Sequence, residues 1–291
     1  MAVTERWFRA ADGTQLFARD DGPLNNLTPL LCLPGLTRNS RDFEPVFDRY
    51  AKRRRVIAMD FRGRGLSARA ADPQTYRVDV ELQDTLAFLQ SLNVESVAVL
   101  GTSRGGIVGM LMAAYAKSFL AGLMLNDIGC ELKTDGLQRI KDYVGTPKFH
   151  KTWDDVGRSI AAGARGFSNV TSAQWVEMAK RIYVKTDLGI GPSHDPALAA
   201  TLPSDDDIRS GKVGELWSIL PALADVPFAL MRGEGSDLLT VETVERMQRE
   251  MPSLVGTTIP ERGHVPFLDE AESVGALDGW LVAVDQKQQG R

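Results

Sequence analysis

Residues 97–114 read VAVLGTSRGGIVGMLMAA, and this stretch decides the fold. The run from Val97 to Leu100 predicts a buried strand, and the run from Ile107 to Ala114 predicts an apolar helix. Between the two stands a Gly-x-Ser-x-Gly pattern with Ser103 at its centre. A strand that turns this sharply into a helix forces the serine into a strained conformation, so its hydroxyl projects above the sheet. The pattern therefore predicts a nucleophile elbow at Ser103.

The alternation of strand and helix continues on both sides of this elbow. Short apolar runs alternate with stretches of helical period, which is typical of parallel strands joined by crossover helices. The predicted strands cover residues 5–10, 15–20, 30–33, 56–60, 97–101, 123–126, 228–231 and 255–259. The predicted helices cover residues 42–50, 79–92, 104–117, 241–251 and 273–284.

The alternation breaks between about Cys130 and Ala224, where the sequence turns helical and no convincing strand pattern occurs. We therefore predict an α/β core formed by residues 1–129 and 225–291. Residues 130–224 are predicted to form a helical cap packed on that core.

The composition excludes several classes of function. With 291 residues and 43% hydrophobic content, the chain can bury one large core and carry a modest insert. Its 34 basic and 38 acidic residues give a net charge of -4, which favours neither a nucleic-acid nor a membrane partner. No apolar stretch is long enough to span a bilayer and no secretory pattern opens the chain, so a cytoplasmic location is expected. A small-molecule substrate is the expected partner, and the sequence does not distinguish a monomer from a homo-oligomer.

Two cysteines, Cys32 and Cys130, offer neither a disulfide framework nor metal-ligand spacing. Both are predicted to be reduced and structural. No metal and no organic cofactor is expected.

A serine is a poor nucleophile unless a base lies within hydrogen-bond reach. The chain has three histidines. His264 lies between the last predicted strand and the last predicted helix, at the sheet edge where Ser103 emerges. His150 and His194 lie in the insert and are predicted to be structural. We therefore expect His264 to be the base.

The base in turn needs a carboxylate that fixes its tautomer. Asp237, which follows the predicted strand 228–231, is the first choice. Glu234 competes from the same turn. Asp127 is a third candidate because it follows the strand 123–126 and should also sit at a carboxyl end.

An oxyanion hole in this architecture uses the amide after the nucleophile and one from the loop after an earlier strand. These amides map to Arg104 and Leu36. The Arg104 side chain has two interpretations: it attracts a carboxylate-bearing substrate, or it forms a salt bridge.

Taken together, these features resemble the α/β-hydrolase superfamily over nearly the whole chain. The matching segments are Leu33-Pro34-Gly35-Leu36, residues 60–67 (DFRGRGLS), the Ser103 elbow, the turn from Gly233 to Asp237, and Gly263-His264. The resemblance implies an α/β fold with a mostly parallel eight-stranded sheet, flanking helices and a helical cap. It also implies the chain order Ser, Asp, His, which the three residues obey. Two departures are Pro34-Gly35, where many relatives carry His-Gly, and Asp237, which stands one residue later than is common.

The expected activity is hydrolysis of a carboxylic ester, lactone or thioester through an acyl-enzyme on Ser103. Two alternatives remain: a carbon-carbon bond hydrolase of a diketone with the same triad, and a non-catalytic ligand receptor on the same fold. The insert should cover the site, with Trp153, Trp175 and Trp217 as candidate wall residues.

Overall fold

The computed structural model describes residues 3–211 and 214–290. Its main sheet has eight strands: β1 Thr4–Arg9, β2 Gln15–Asp21, β3 Leu30–Leu33, β4 Val56–Asp60, β5 Val97–Thr102, β6 Leu120–Asn126, β9 Phe228–Gly233 and β10 Val255–Ile259. They lie in the sheet in the order β1-β2-β4-β3-β5-β6-β9-β10. Strand β2 pairs antiparallel with β1 and β4, and every pairing from β4 to β10 is parallel. The predicted mostly parallel, eight-stranded sheet is confirmed.

Helices cover both faces of this sheet, so its central strands are apolar on both sides. In β3, Leu31 and Leu33 face one hydrophobic cluster, whereas Leu30 and Cys32 face the other. The helices of the core are α1 Glu44–Tyr50, α2 Val78–Ser91, α3 Arg104–Tyr115, α8 Val241–Glu250 and α9 Ala271–Gln289. Each core helix predicted from periodicity is present, with ends that differ by a few residues.

The insert between β6 and β9 contains helices α4 Thr134–Val144, α5 Trp153–Gly163, α6 Ser172–Ile182 and α7 Asp205–Arg209. Sequence reasoning expected no strand here, and that expectation was wrong. Strands β7 Tyr183–Thr186 and β8 Gly189–Pro192 form an antiparallel hairpin of their own. Gly189, at φ +118°, takes a backbone conformation that suits glycine, and the hairpin's four-residue strands are too short to show a period-two pattern.

Within the described ranges, no helix combines the length and the apolar character that crossing a membrane requires. Likewise, no cluster of three metal-ligating side chains occurs in the part of the chain with described structure.

Candidate active site

Ser103 stands alone between the end of β5 and the start of α3. Its backbone has φ 50° and ψ −116°, which is strained for a residue with a side chain. At this turn α3 lies close both to β5, which precedes it, and to the neighbouring strand β3. A Cβ on Gly105 would lie 2.1 Å from the carbonyl oxygen of Leu33, and one on Gly101 would lie 2.5 Å from Gly106 Cα. The glycines flanking Ser103 are therefore required by close packing, and the serine hydroxyl is left facing a cavity.

His264 lies in the loop between β10 and α9, as its position in the sequence predicted. Its Nε2 is 3.0 Å from Ser103 Oγ, a normal hydrogen-bond distance. The imidazole is largely shielded, with 8% of its side chain exposed. Residues 161 positions apart in the chain thus meet at the carboxyl edge of the sheet.

The carboxylate on the other side of the imidazole belongs to Asp127. Its Oδ2 is 2.7 Å from His264 Nδ1, and the carboxylate is completely buried. Two further groups donate to it: the amide of Gly233 to Oδ1 at 2.8 Å, and the hydroxyl of Ser236 to Oδ2 at 2.6 Å. These donors fix the orientation of the carboxylate, so one Asp127 oxygen is held against the imidazole.

Asp237, the first choice from sequence, does not fill this position. Arg139 of α4 donates to both of its oxygens, at 2.6 Å and 2.9 Å. Burial opposes ionisation of this carboxyl, but the Arg139 hydrogen bonds and charge outweigh it and lower the pKa of Asp237. Within residues 3–211 and 214–290, Asp237 shares no hydrogen bond with His264. The sequence-based choice of Asp237 is thus corrected: a guanidinium from the insert holds that side chain, and the imidazole pairs with Asp127.

Glu234, the second candidate, also lies away from the imidazole. Its Oε2 accepts a hydrogen bond from the amide of Glu261 at 3.1 Å, and its side chain is exposed. Among the three carboxylates considered, Asp127 is therefore the one in contact with His264.

The amides of Leu36 and Arg104 have no hydrogen-bond acceptor among the residues with described structure. The loop that carries Leu36 lies against the serine, because a Cβ on Gly35 would be 3.7 Å from Ser103 Cβ. Arg104 opens α3, and the amides of a first helical turn have no partner within the helix. Unpaired amides near a nucleophile can stabilise an anionic oxygen. Leu36 lines the same cavity as Ser103, and Arg104 directly follows the serine in the chain; their role as an oxyanion hole remains a prediction.

The side chain of Arg104 forms a salt bridge. Its Nε donates to Glu81 Oε2 at 2.7 Å, and its Nη2 donates to the carbonyl oxygen of Tyr76 at 2.7 Å. Among the described residues that line the cavity, Ser103 is present and Arg104 is absent. Attraction of a substrate carboxylate by Arg104 is therefore not supported by the geometry.

A cavity of about 280 Å³ opens above Ser103, between the core and the insert. Its apolar lining from the insert includes Ile140, Ile160, Phe167, Trp175, Met178 and Ile182. Its charged lining consists of four cations, Arg38, Arg139, Lys148 and Arg165, with no carboxylate among the described lining residues. The walls of the cavity are thus largely apolar, and the charged side chains among its described lining residues are all basic.

A model of the alpha/beta hydrolase family matches residues 30–277 of the chain. The chain belongs to the α/β-hydrolase family. The expectation from its motifs is confirmed, and the region of the match contains the serine, the histidine and the aspartate described above.

Several relatives of this α/β-hydrolase are known. It is 34% identical over 250 residues to a 3-hydroxybutyrate-oligomer hydrolase of Cupriavidus necator, covering 84% of this chain and 85% of that protein. It is 26% identical over 250 residues to a 2-(acetamidomethylene)succinate hydrolase of Mesorhizobium japonicum, covering 84% and 83%. A solved α/β-hydrolase of Novosphingobium aromaticivorans superposes with a TM-score of 0.89 at 37% identity, covering 97% and 99% of the two chains. Hydrolase chemistry on this fold is therefore supported.

Sequence reasoning treated the other two histidines of this α/β-hydrolase as structural and did not place His194 at the site. His194 lies in the cavity lining, with its Nε2 3.4 Å from the Val144 carbonyl oxygen. Burial lowers the pKa of His194 to about 4. His150 contacts the second hairpin strand through its backbone, at Ile190. A lone histidine in an irregular segment carries no sequence signal that would have located His194.

The three tryptophans considered as wall residues have different environments in this α/β-hydrolase. Trp175 lines the cavity and packs edge-on against Phe167 and Phe267, at centroid distances of 5.4 Å and 5.8 Å. Trp217 lies under the guanidinium of Arg246, 3.7 Å away. Trp153 packs in a small cluster inside the insert. Among these three described tryptophans, only Trp175 contributes to the wall.

Proposed function

We propose that this α/β-hydrolase cleaves a carboxylic ester through an acyl-enzyme on Ser103, with His264 as the base and Asp127 as the orienting acid. The observation that carries the proposal is the chain of two hydrogen bonds, Ser103 Oγ to His264 Nε2 and His264 Nδ1 to Asp127 Oδ2. A nucleophile, its base and a third group that orients the base are the parts that acyl transfer requires.

In the proposed mechanism, Ser103 Oγ attacks the ester carbonyl carbon and its proton moves to His264 Nε2. The carbonyl oxygen becomes an oxyanion, which the amides of Leu36 and Arg104 stabilise. When the tetrahedral intermediate collapses, the bond to the leaving alkoxide breaks and His264 returns the proton to it. A water molecule then attacks the acyl-enzyme with His264 as its base, and the acid is released with Ser103 restored.

The insert is proposed to be the cap that selects the substrate. Its residues supply most of the cavity lining over Ser103, including the apolar wall that contains Trp175 and Phe167. A cavity of about 280 Å³ suits a small substrate rather than a polymer chain. We propose the core and cap boundaries given above for these two parts, and the cytoplasmic location stays a prediction.

The relative of Cupriavidus necator supports an ester over other linkages. Units of a hydroxy acid such as 3-hydroxybutyrate join through ester bonds, and that protein is named as a hydrolase of their oligomers. We therefore place short esters first among the candidate substrates, with lactones and thioesters behind them.

The experiment is a panel of p-nitrophenyl esters, lactones, thioesters and a diketone, assayed with the wild type and Ser103→Ala. Ester hydrolysis that disappears in Ser103→Ala, together with fluorophosphonate labelling of Ser103, supports the proposal. Turnover confined to the diketone, with carbon-carbon cleavage products, would assign the alternative hydrolase activity. An unlabelled Ser103 with no turnover in the panel would favour a ligand receptor.

A further inference from the structure

The cations of the cavity differ in whether an acidic partner neutralises them. Arg38 pairs with Asp42 at 2.5 Å, and Arg139 pairs with Asp237 at 2.6 Å. Lys148 lies in the connection between α4 and α5, and Arg165 lies between α5 and α6. Both side chains are exposed, and neither forms a salt bridge with a described residue. Two positive charges at the cavity are thus available to a ligand.

The backbone of Arg165 lies close to the loop that carries His264. A Cβ on Gly263 would lie 1.9 Å from the carbonyl oxygen of Arg165, so the Arg165 backbone touches the residue next to His264. The chain as a whole has a net charge of -4, so its overall field repels an anion. Attraction of an anionic substrate therefore has to come from local cations in the cleft.

We propose that Lys148 and Arg165 form a subsite for a carboxylate, so that the preferred substrate is an ester bearing a free carboxyl group. This inference rests on the proposed function, because the ester bond of that substrate is the one placed at Ser103. The apolar wall at Ile160 and Phe167 contacts the carbon chain, and the two cations hold the charged end.

The test compares two matched esters, an O-acetylated hydroxybutyrate and its neutral primary amide. We expect the wild type to hydrolyse the carboxylate ester with a higher kcat/KM than the amide. Lys148→Met and Arg165→Met should each reduce that preference by about two- to fivefold, which is the size of effect expected for an exposed ion pair. Added salt should reduce the preference as well. Lys151→Met is the matched control, since Lys151 is an exposed cation in the same connection but outside the cavity lining.

Binding of the two esters to Ser103→Ala, measured by calorimetry, separates this subsite from the proposed function. Equal affinity for carboxylate and amide would overturn the subsite, even if esters are hydrolysed at Ser103. A carboxylate preference in binding, lost in the Lys148 and Arg165 variants, would support the subsite even if the ester is not cleaved. An equal effect of Lys151→Met would also overturn it, because the preference would then follow total charge.

A second, independent observation concerns Glu81 of α2, which is completely buried. Its Oε2 accepts from Arg104 Nε at 2.7 Å, and its Oε1 lies 2.8 Å from Arg64 Nη1. Arg64 in turn donates from Nε to the carbonyl oxygen of Leu36 at 2.7 Å. One carboxylate is therefore connected to both residues whose amides flank Ser103.

We infer that Glu81 is a positioning residue for the oxyanion hole. Burial lowers the pKa of Arg64 to about 10, so its guanidinium stays charged at neutral pH and keeps its place between Glu81 and Leu36. Groups that stabilise a transition state must be held within about 0.5 Å of the productive geometry, and a misplacement of about 1 Å can cost about 100-fold in rate. Glu81 provides that restraint from beneath the site without touching the substrate, and the inference rests on the proposed mechanism.

The test is Glu81→Gln. The Glu81 carboxylate has two oxygens, one in contact with Arg104 and one in contact with Arg64, whereas the glutamine side chain has a single oxygen. We expect kcat per fluorophosphonate-titrated site to fall by about 10- to 100-fold. This is less than the decrease of about 100- to 1000-fold that follows removal of an oxyanion-hole donor. KM should change by less than about threefold. Affinity for a trifluoromethyl ketone, which binds as an oxyanion, should fall in parallel with kcat.

Asp84→Asn is the control. Asp84 lies on the same helix and forms a comparable buried pair with Arg62 at 2.8 Å, but it contacts neither Leu36 nor Arg104 among the described contacts. Equal losses of kcat per titrated site in Glu81→Gln and Asp84→Asn would overturn the inference, as would unchanged affinity for the trifluoromethyl ketone. If Glu81→Gln fails to fold, Arg64→Lys is measured in the same way. Lysine keeps the positive charge but lacks the planar guanidinium that can donate to two partners at once.

Discussion

Replacing Asp127 by asparagine should inactivate the enzyme by reversing the tautomer of His264. The Gly233 amide donates to Asp127 Oδ1 at 2.8 Å, so the asparagine oxygen must occupy that side. Its NH₂ group then faces His264 Nδ1, where the carboxylate oxygen now lies at 2.7 Å. Nδ1 would accept instead of donate, which puts the imidazole proton on Nε2. An Nε2 that carries a proton cannot receive the one from Ser103.

The expected size of this effect follows from the same contacts. A hydrogen bond between an imidazolium and a buried carboxylate is worth about 1.5–3 kcal/mol. The wrong tautomer adds to this, and the same substitution in a Ser-His-Asp triad lowers kcat about 10⁴-fold. At 1.36 kcal/mol per decade, this corresponds to about 5.5 kcal/mol of transition-state stabilisation.

The assay is hydrolysis of a p-nitrophenyl ester at neutral pH with wild type, Asp127→Asn and Asp237→Asn. Asp237→Asn is the matched control, because its side chain is held by Arg139 and should lower kcat by less than about fivefold. Circular dichroism and thermal unfolding check that both variants fold. If kcat fell severely in Asp237→Asn but less than tenfold in Asp127→Asn, the assignment of Asp127 as the orienting acid would be refuted.

Three further predictions follow from groups around the site. Burial lowers the pKa of His194 to about 4 against about 6.5 in the unfolded chain, so stability present above pH 6.5 is lost as the pH falls towards 4, by up to about 3 kcal/mol. Urea unfolding across this range should show a flatter profile for His194→Asn, and equal slopes would contradict the prediction. Gly105→Ala should lower the free energy of unfolding by about 1–3 kcal/mol, since its Cβ would lie 2.1 Å from the Leu33 oxygen; an unchanged urea midpoint would argue against this. Arg104→Gln should leave the carboxylate-to-amide preference in kcat/KM unchanged, because Glu81 already holds that side chain; a lost preference would restore Arg104 as a substrate contact.

The sequence predicted most of the core and the pairing of Ser103 with His264. Apolar runs buried on both faces and clear helical periods give strong local signals, and glycines flanking a serine between strand and helix identify the elbow. His264 could be selected because residues after successive parallel strands meet at one edge of the sheet. These predictions depend on local pattern and topology alone.

The same topological rule could not choose the acid. Asp127 follows β6 and Asp237 follows β9, and these strands are neighbours in the sheet. Both carboxylates therefore reach the same edge. What separates them is the position of Arg139, a contact 98 residues distant that comes from the insert. The hairpin at 183–192 was missed for a related reason, since strands of four residues lack a readable period.

The contact between Arg139 and Asp237 connects the insert to the turn beside the histidine. Because Asp127 pairs with the imidazole, the Asp237 carboxylate can bind Arg139 and so attach the insert, which covers the cavity, to the core. The two acidic side chains therefore divide two tasks, and they can be altered separately. Changes at Asp237 should retune how readily molecules enter and leave, whereas the rate of bond cleavage once a molecule is inside should depend on Asp127.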